Sequence, residues 1–365
     1  MRTLILTGPA TDEQRAVSQA LKAAFAARGD SSLSVGALAL LGQHAPLSLT
    51  GALENEALSS PRAFCFLQAG DAFRRAGKRK SIVYEANARY LENLGTLLRE
   101  GEFDAVLCLH RYPAEAVSQL RKTIAFSARC CFVPVDFAVV PFLEETTLDL
   151  YFSAHADLTA PYCKRGLPEK KIVPVGIPLP ESWFRAEERS DARALLNLPQ
   201  QMPCFFISSA EDPAATAAAL LARINGADAR ICVVQPEVLP ARNAQRQATD
   251  IRLVPVDPDD GPALYHNACD VLLARPFGAA SAAAAIAGVP LVHLPSKDDC
   301  ERQTARFFHT RGMSESAESL PEAIDFALRL VKDKSKQEQM LSAQRGVCPK
   351  DAASSIVRYL HEGRL

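Results

Sequence analysis

Three residues with side chains suited to acid–base or phosphate chemistry stand beside apolar segments of this 365-residue chain. Asp136 follows the segment CCFVPV, His110 follows FDAVLCL, and Arg275 follows VLLA. Continuous apolar segments of this length are typical of strands buried in parallel sheets. Because α/β proteins place functional groups at the carboxyl ends of such strands, we expect all three side chains at sheet edges.

Each of these residues has a chemical interpretation and a structural alternative. Asp136 can take a proton from an acceptor hydroxyl, or it can cap a helix. His110 can act as a general base or bind a hydroxyl group, or it can be a hydrogen-bonded histidine at the strand edge. Arg275 can hold a diphosphate through two parallel hydrogen bonds, or it can form a surface salt bridge. The sequence leaves these alternatives open.

The stretch Leu273–Pro290, LARPFGAASAAAAIAGVP, predicts a turn followed by a helix of small residues. A new apolar segment, Leu291–Leu294, follows, so the whole reads as a strand–helix–strand unit. The helix N-terminus of such a unit faces the carboxyl edge of the sheet. Backbone N–H groups and the helix dipole favour an anion there, and nucleotide phosphates commonly occupy this position.

Composition limits the classes of protein to which the chain can belong. It is 48% hydrophobic and 23% charged, which is ordinary for a soluble protein, and its net charge of −1 is no reason to expect nucleic acid as a partner. No apolar segment approaches the ~18–20 residues of a membrane span, and residues 1–8 predict a strand rather than a signal peptide. The ten cysteines and the histidines lack metal-binding spacing, so we expect reduced thiols, no metal and a cytoplasmic location.

Strand-like and helical segments alternate along the chain, which predicts an α/β protein built on parallel sheets. A Pro-containing stretch at 179–190 interrupts the alternation and predicts a linker. We therefore expect an N-terminal domain over 1–178 and a C-terminal domain over 191–345, each doubly wound, facing an interdomain cleft. A last amphipathic helix lies within 346–365.

Several blocks resemble one group of GT-B glycosyltransferases, the monogalactosyldiacylglycerol synthase and processive diacylglycerol glucosyltransferase type. The chain is also similar to the lipid II-forming N-acetylglucosaminyltransferase. The family reads T-D-F, D-x-Y-F, G-[VI]-P-x-x-K-I, G-I-P, T-H-P, K-P-G-G and K-D-x-Q-Q-x-x-N-A. The corresponding residues here are Val135–Phe137, Asp149–Phe152, Gly166–Ile172, Gly176–Pro178, the segment at His110, Arg275–Gly278 and Lys297–Ala305.

The resemblance implies transfer of a hexose from a nucleotide sugar, UDP-linked, to a hydroxyl of a lipid or lipid-like acceptor. It also implies inversion at the sugar, no metal, no permanently bound cofactor, and a last helix that packs on the N-terminal domain. Asp136 and His110 are then the catalytic candidates. The residues implied to bind the donor are Arg275, Pro276, Gly278, Ser281, Lys297, Glu301, Thr304, Ser208 and Ser209.

A basic cluster in the N-terminal domain lies where the family contacts the membrane. Anionic headgroups attract such a cluster by about 1 kcal/mol per charge, so the resemblance implies a peripheral position at the inner face of the membrane. A solvated loop is the alternative. The cluster comprises Arg74, Arg75, Lys78, Arg79 and Lys80.

Four positions depart from the family pattern. Gln14 stands where the family has His after a Gly-rich turn, and Val140 stands where it has a second His. Ser208–Pro213 replaces another Gly-rich turn, and Ala283 replaces the Glu that binds the ribose. These changes leave a second interpretation open, a catalytically impaired GT-B homologue that acts as a binding or regulatory protein. An epimerase or phosphorylase-like enzyme is a further alternative.

Overall fold

The computed structural model describes residues 1–8, 11–36, 40, 91–208, 210, 212–224, 231–235, 251–256 and 261–363. The chain divides into two compact units. The first comprises Met1–Pro180, Lys297–Gln303 and Pro349–Leu365, and the second comprises Glu181–Ser296 and Thr304–Cys348.

The first unit contains a six-stranded sheet in which every described pair of neighbours is parallel, in the order β2-β1-β3-β4-β5-β6. Its central strands are buried on both faces, which explains why their sequences are continuously apolar. The strands are β1 Arg2–Thr7, β2 Ser31–Gly36, β3 Ala105–Cys108, β4 Arg129–Phe132, β5 Leu150–Ser153 and β6 Ile172–Pro174.

The described α-helices of this unit include four between the strands and one at the end of the chain. They are α1 Asp12–Ala27, α2 Leu91–Glu100, α3 Arg111–Leu120, α4 Thr159–Lys164 and α12 Ala352–Glu362. Helix α12 packs against α1, and the imidazole Nε2 of His361 lies 2.7 Å from a carboxylate oxygen of Asp30. Gly176 packs against Pro349, just before α12. A Cβ at position 176 would lie 2.4 Å from Cγ of Pro349, so the close contact requires glycine.

The second unit contains a second six-stranded sheet of parallel neighbours, in the order β12-β11-β10-β7-β8-β9. Side chains of the strands and of the helices beside them form one apolar core, which includes Phe205, Leu273, Val292 and Ile324. The strands are β7 Cys204–Ser208, β8 Ile231–Gln235, β9 Ile251–Pro255, β10 Val271–Ala274, β11 Leu291–His293 and β12 Glu315–Ser316.

Seven described α-helices belong wholly or partly to this unit. They are α5 Arg189–Leu195, α6 Pro213–Ile224, α7 Pro262–Ala268, α8 Gly278–Ala287, α9 Asp299–His309, α10 Leu320–Leu330 and α11 Lys334–Gln344. The predicted α/β class with doubly wound parallel sheets is confirmed. Within the described ranges, no helix is long and apolar enough to span a bilayer.

Candidate functional site

The first sheet changes its winding direction between β1 and β3, which are neighbours in space although β2 separates them in sequence. Chains that leave such a pair diverge, and the crevice at their carboxyl ends is a preferred ligand site. Gly8 follows β1 at this point and His110 follows β3. A Cβ on Gly8 would lie 2.5 Å from Cγ of His110, so the imidazole occupies the space that only glycine leaves there.

The second sheet has the equivalent point between β7 and β10. Ser208 pairs with Ala274 in the register of these strands, so both strands end at the same level. Ser208 and Arg275 are therefore brought to the same edge. The sequence-predicted donor loop, Arg275–Gly278, starts at the position where the sheet topology favours a ligand.

His110 is the N-cap of α3, and its ring nitrogen Nδ1 accepts a hydrogen bond from the N–H of Tyr112 at 3.4 Å. The ring stacks on that of Tyr112 with centroids 5.2 Å apart. Burial lowers the pKa of His110 well below its usual range, and the charge of Arg111 lowers it further. The neutral ring that accepts at Nδ1 carries its proton on Nε2. The geometry therefore favours a hydrogen-bond donor to a hydroxyl over a general base.

Gln14, at the family's histidine position, has a structural role in this fold. Its side-chain oxygen accepts a hydrogen bond from the N–H of Gly8 at 2.6 Å, and the residue is buried. The carboxamide thereby joins the end of β1 to the first turn of α1. Thr11 caps the same helix by accepting from the N–H of Gln14.

Asp136 lies in the loop after β4, four residues beyond Phe132, and is half-buried. The next described helical element, a single 3₁₀ turn at Leu143–Glu145, has Phe142 as its N-cap, so Asp136 does not cap it. Burial raises the pKa of the Cys300 thiol, and the charge of Asp136 raises it further. Because this loop leaves the carboxyl end of β4, Asp136 lies near that edge of the first sheet, and its role as a base stays a prediction.

The residues Lys297–Gln303 belong to the first compact unit. Gln303 accepts a hydrogen bond from the N–H of Val139 at 3.0 Å. Its amide nitrogen donates to Asp299 at 2.7 Å. Gln303 therefore ties the first turn of α9 to the segment immediately after Asp136.

Glu301, Lys297 and Thr304 were candidates for donor binding. Glu301 is buried and accepts from the N–H of Lys297 at 2.9 Å, while its own N–H donates to Asp298 at 2.9 Å. These two hydrogen bonds, to two successive residues, stabilise the start of α9. Thr304 is fully buried, and its hydroxyl has no hydrogen-bond partner in the described part of the chain. Contact of the three residues with a donor stays a prediction.

The donor loop directly precedes helix α8. The guanidinium of Arg275 lies 4.6 Å from the ring centroid of Phe277, and the N–H of Phe277 donates to the carbonyl of Arg275 at 2.8 Å. Phe277 is the N-cap of α8, and its side chain supplies no capping acceptor. Gly278 begins the helix, and Pro276 is buried beside it. The N-terminus of a helix that follows such a turn is a common position for a phosphate group.

Ser281 points into the unit and not to the helix start. Its hydroxyl lies 3.0 Å from Nε2 of His293, whose Nδ1 lies 3.2 Å from the hydroxyl of Ser314. All three residues are buried. Ser281 therefore belongs to a buried serine–histidine–serine network. Ala283, in place of the family's glutamate, is also fully buried.

His293 predicts an acid sensitivity of the fold. Burial lowers its pKa from 6.5 to about 3, and the charge of His309 lowers it further. The unfolded chain binds this proton below pH 6.5 while the folded chain does not, so stability falls as pH drops from 6.5 towards 3. His293→Asn should reduce the slope of unfolding free energy against pH by about 1.4 kcal/mol per unit. Urea unfolding at pH 7, 6 and 5 measures it.

The matched control for this variant is His309→Asn, because His309 lies in the same unit but is exposed. That variant removes only the smaller cause of the lowered pKa of His293, so it should change the slope far less than His293→Asn does. An unchanged slope in His293→Asn would show that the buried imidazole is not the group that titrates on unfolding.

Some predicted site residues lie outside the described part of the chain. They are Ser209 and the basic cluster, Arg74, Arg75, Lys78, Arg79 and Lys80. Within the part that is described, no group of three or more His, Cys, Asp and Glu side chains has the arrangement of a metal site.

A comparison with known protein families finds a match within the first part of the chain. Residues 14–179 match the model of the monogalactosyldiacylglycerol (MGDG) synthase family. The predicted resemblance is confirmed. The matched segment contains His110 and Asp136, together with β3 to β6 of the first sheet. No curated protein sequence matches the chain.

Solved structures show that the whole chain has the GT-B fold. MurG from Acinetobacter baumannii is 12% identical with a TM-score of 0.65, covering 99% of this chain and 100% of its own. The UDP-GlcNAc 2-epimerase from Neisseria meningitidis, solved with UDP-GlcNAc bound, is 13% identical with a TM-score of 0.61 and the same coverage. The glycosyltransferase SsfS6 from Streptomyces sp. SF2575 is 15% identical, with a TM-score of 0.57 and the same coverage. The fold thus hosts both transferases and epimerases.

The structure draws attention to Arg111, which was not among the sequence-predicted site residues. It follows His110 directly, at the position of proline in the family's T-H-P segment. The sequence did contain a signal for Arg111, because it is a charged residue close after a buried strand. Arg275 was selected as a candidate for that reason.

Proposed function

We propose that the protein transfers a hexose from a UDP-sugar to a hydroxyl of a lipid or lipid-like acceptor, with inversion at the sugar and without a metal. The observation that carries the proposal is the match of residues 14–179 to the MGDG synthase family. The GT-B fold over the rest of the chain supports it, as does the position of Arg275 just before the N-terminus of α8.

In the proposed reaction, the acceptor side is assigned to the first unit. Asp136 takes the proton of the acceptor hydroxyl as the oxygen attacks the anomeric carbon. His110 donates a hydrogen bond from Nε2 to an acceptor oxygen, which orients the hydroxyl without competing for its proton. Pairing a single base with a separately stabilised leaving group is sufficient for one inverting displacement.

The donor side is assigned to the second unit. The bond between the anomeric carbon and the diphosphate oxygen breaks, and the negative charge that develops on UDP lies at Arg275 and the N-terminus of α8. A guanidinium can bind two phosphate oxygens at once, so it can stabilise the leaving group in the role that a metal has elsewhere. The basic cluster Arg74–Lys80 is proposed to hold the protein at the inner face of the membrane, where its acceptor lies.

Replacement of Arg275 tests the donor side. Arg275→Met keeps the apolar contact with Phe277 but removes the charge-assisted hydrogen bonds to the diphosphate. We expect the dissociation constant of UDP to rise about 10- to 100-fold, since such bonds contribute about 1.5–3 kcal/mol. Isothermal titration calorimetry measures the change.

Arg223→Met is the control for this variant, because Arg223 belongs to the same unit and forms an exposed pair with Asp325. It should bind UDP like the parent protein. If Arg275→Met and Arg223→Met bound UDP with equal affinity, Arg275 would be shown not to contribute to UDP binding.

A second candidate function is a binding or regulatory role without turnover. Full burial of Ala283 favours it, because this position cannot supply the carboxylate that would bind the ribose. Such a protein would bind a nucleotide sugar and leave it intact.

An activity assay separates the two functions. UDP release should be measured with UDP-glucose, UDP-galactose and UDP-N-acetylglucosamine, with and without dioctanoylglycerol. Release of UDP that depends on the acceptor, with a glycosylated lipid as product, is the expected result. UDP-sugar binding without any release would establish the binding role instead.

A further inference from the structure

The loop that carries Asp136 has no regular secondary structure to hold it. Residues 133–142 lie between β4 and the next 3₁₀ turn, and neither a strand nor a helix includes them. Phe137, Ala138 and Val139 are nevertheless buried. Buried backbone N–H and carbonyl groups need hydrogen-bond partners, and this loop has no strand ladder or helix of its own to supply them. Side chains of other segments therefore matter for its conformation.

Two side chains bond to the backbone of this loop shortly after Asp136. The hydroxyl of Tyr162 in α4 donates to the carbonyl of Ala138 at 3.0 Å. Burial raises the pKa of that hydroxyl, and the charge of Asp136 raises it further, so the hydroxyl stays protonated and donates at neutral pH. On α9, the side-chain oxygen of Gln303 accepts from the N–H of Val139 at 3.0 Å. All of these residues belong to the first compact unit.

The contact of Gln303 depends on the chemistry of its amide group. The N–H of Val139 can only donate, and the carboxylate of Asp299, to which the amide nitrogen donates at 2.7 Å, can only accept. A carboxylate at position 303 could not donate to Asp299, and an ammonium group could not accept from Val139. The two partners therefore fix the orientation of the amide, and the amide fixes the backbone at Val139.

The position of this backbone bears on the proposed chemistry, because Val139 is only three residues beyond Asp136. A general base must lie within hydrogen-bond reach of the proton that it takes. An error of about 1 Å in the position of a reacting group can reduce the rate about 100-fold. A loop without regular structure needs an external contact to hold the carboxylate to that tolerance.

We propose that Gln303 is a positioning residue, which holds Asp136 in place for proton transfer through its hydrogen bond with Val139. Its role in catalysis rests on the function proposed above, whereas its hold on the loop requires no sugar transfer. Gln303 stands at one of the unspecified positions of the motif K-D-x-Q-Q-x-x-N-A, so the resemblance implies no role for it.

Replacement of Gln303 by methionine tests the proposal in the acceptor-dependent UDP-release assay. Gln303→Met keeps the length of the side chain and removes both hydrogen bonds. We expect kcat to fall about 10- to 100-fold, while the KM for the UDP-sugar and the calorimetric affinity for UDP stay the same. An unchanged kcat would overturn the proposal.

The matched control is Gln337→Met. Gln337 is also a glutamine with hydrogen bonds on both sides of its amide, since it donates to the carbonyl of Leu330 at 2.8 Å and accepts from Lys334 at 3.1 Å. It is more deeply buried than Gln303 and belongs to the second unit. This variant should keep the kcat of the parent protein. An equal loss of kcat in both variants would show a general effect of lost hydrogen bonds and would contradict the proposal.

A double-mutant cycle with Asp136→Asn distinguishes positioning from general structural damage. If Gln303 acts through Asp136, Gln303→Met should change the remaining rate of Asp136→Asn by less than about twofold, because no base is left to position. The same fractional loss in the parent and in Asp136→Asn would mean that Gln303 acts independently of Asp136, and would overturn the proposal.

A rescue variant tests whether the contact with Val139 is the part that matters. Gln303→Glu alone should lower kcat, because it places a second carboxylate beside Asp299. Gln303→Glu combined with Asp299→Asn keeps an acceptor for the N–H of Val139 and reverses the direction of the other hydrogen bond. We expect this pair to restore kcat to within a few-fold of the parent protein. Absence of any recovery would exclude the contact as the cause.

Hydrogen exchange tests the hold on the loop without any sugar transfer. In Gln303→Met, backbone amides within residues 136–142 should exchange at least about tenfold faster, because Val139 has lost its acceptor. Peptides from β1 and β3 should exchange as in the parent protein. Unchanged exchange within 136–142 would overturn the proposal even in an active enzyme. Faster exchange in a protein that transfers no sugar would instead refute the proposed function and leave the hold of Gln303 on the loop established.

Discussion

Asp136→Asn lowers the rate of acceptor-dependent sugar transfer by about 10²- to 10⁴-fold, the contribution of a general base. The amide has nearly the same size as the carboxylate but cannot take the proton of the acceptor hydroxyl. UDP affinity should not change, because the donor site is assigned to another unit. Steady-state kinetics together with calorimetry of UDP measure the two effects separately.

The matched control is Asp157→Asn. Asp157 follows β5, the strand next to β4, and is exposed. This variant removes the same charge at the same edge of the sheet and should retain the full rate. If the transfer rate of Asp136→Asn were within a few-fold of that of Asp157→Asn, Asp136 would be excluded as the base.

Asp270→Ala should destabilise the protein by about 3–5 kcal/mol, which is the cost of leaving a buried charge without its partner. One carboxylate oxygen of Asp270 accepts from Arg193 at 2.8 Å and from the N–H of Cys204 at 2.9 Å. The other accepts from Arg189 at 2.8 Å. Arg193 is only 3% exposed, so its guanidinium would remain buried without its counter-ion.

The same carboxylate joins three elements of the second unit. Arg189 and Arg193 lie on α5, Cys204 begins β7, and Asp270 immediately precedes β10. Since β7 and β10 carry Ser208 and Arg275 at their other ends, loss of Asp270 should also weaken UDP binding. Chemical denaturation gives the free energy of unfolding, and calorimetry gives the affinity.

Asp325→Ala is the control for the stability measurement. Asp325 pairs with Arg223 through two hydrogen bonds of 2.9 Å, but both side chains are exposed. Such a surface pair contributes about 0–1 kcal/mol. Similar losses of stability in Asp270→Ala and Asp325→Ala would contradict the structural role assigned to the buried carboxylate.

The sequence predicted the fold because its strands are continuously apolar. Segments such as those of β3, β4 and β10 are buried on both faces, and this requirement leaves an unmistakable pattern. Helix ends were harder to predict. The sequence pattern predicts a helix over 113–127, but the helix is observed at Arg111–Leu120, because its N-cap is His110, three residues before Pro113.

The candidate site was only partly predictable, because long-range contacts decide what each polar side chain does. Glu301 and Ser281 carry no local signal that they are committed to a capping contact and to His293, respectively. Gln303 bonds to Val139 across 164 positions of sequence. Arg111 reads as an ordinary first-turn residue until the rings of Tyr112 and Phe142 are placed around it.

Calorimetric titration of the full-length protein with UDP, without added metal, tests the central claim most directly. We predict saturable binding with a dissociation constant in the micromolar range, because Arg275 and the positive end of the α8 dipole lie where the diphosphate is expected. Absence of binding up to millimolar UDP, in a protein shown to be folded, would contradict the proposal that this chain uses a UDP-sugar.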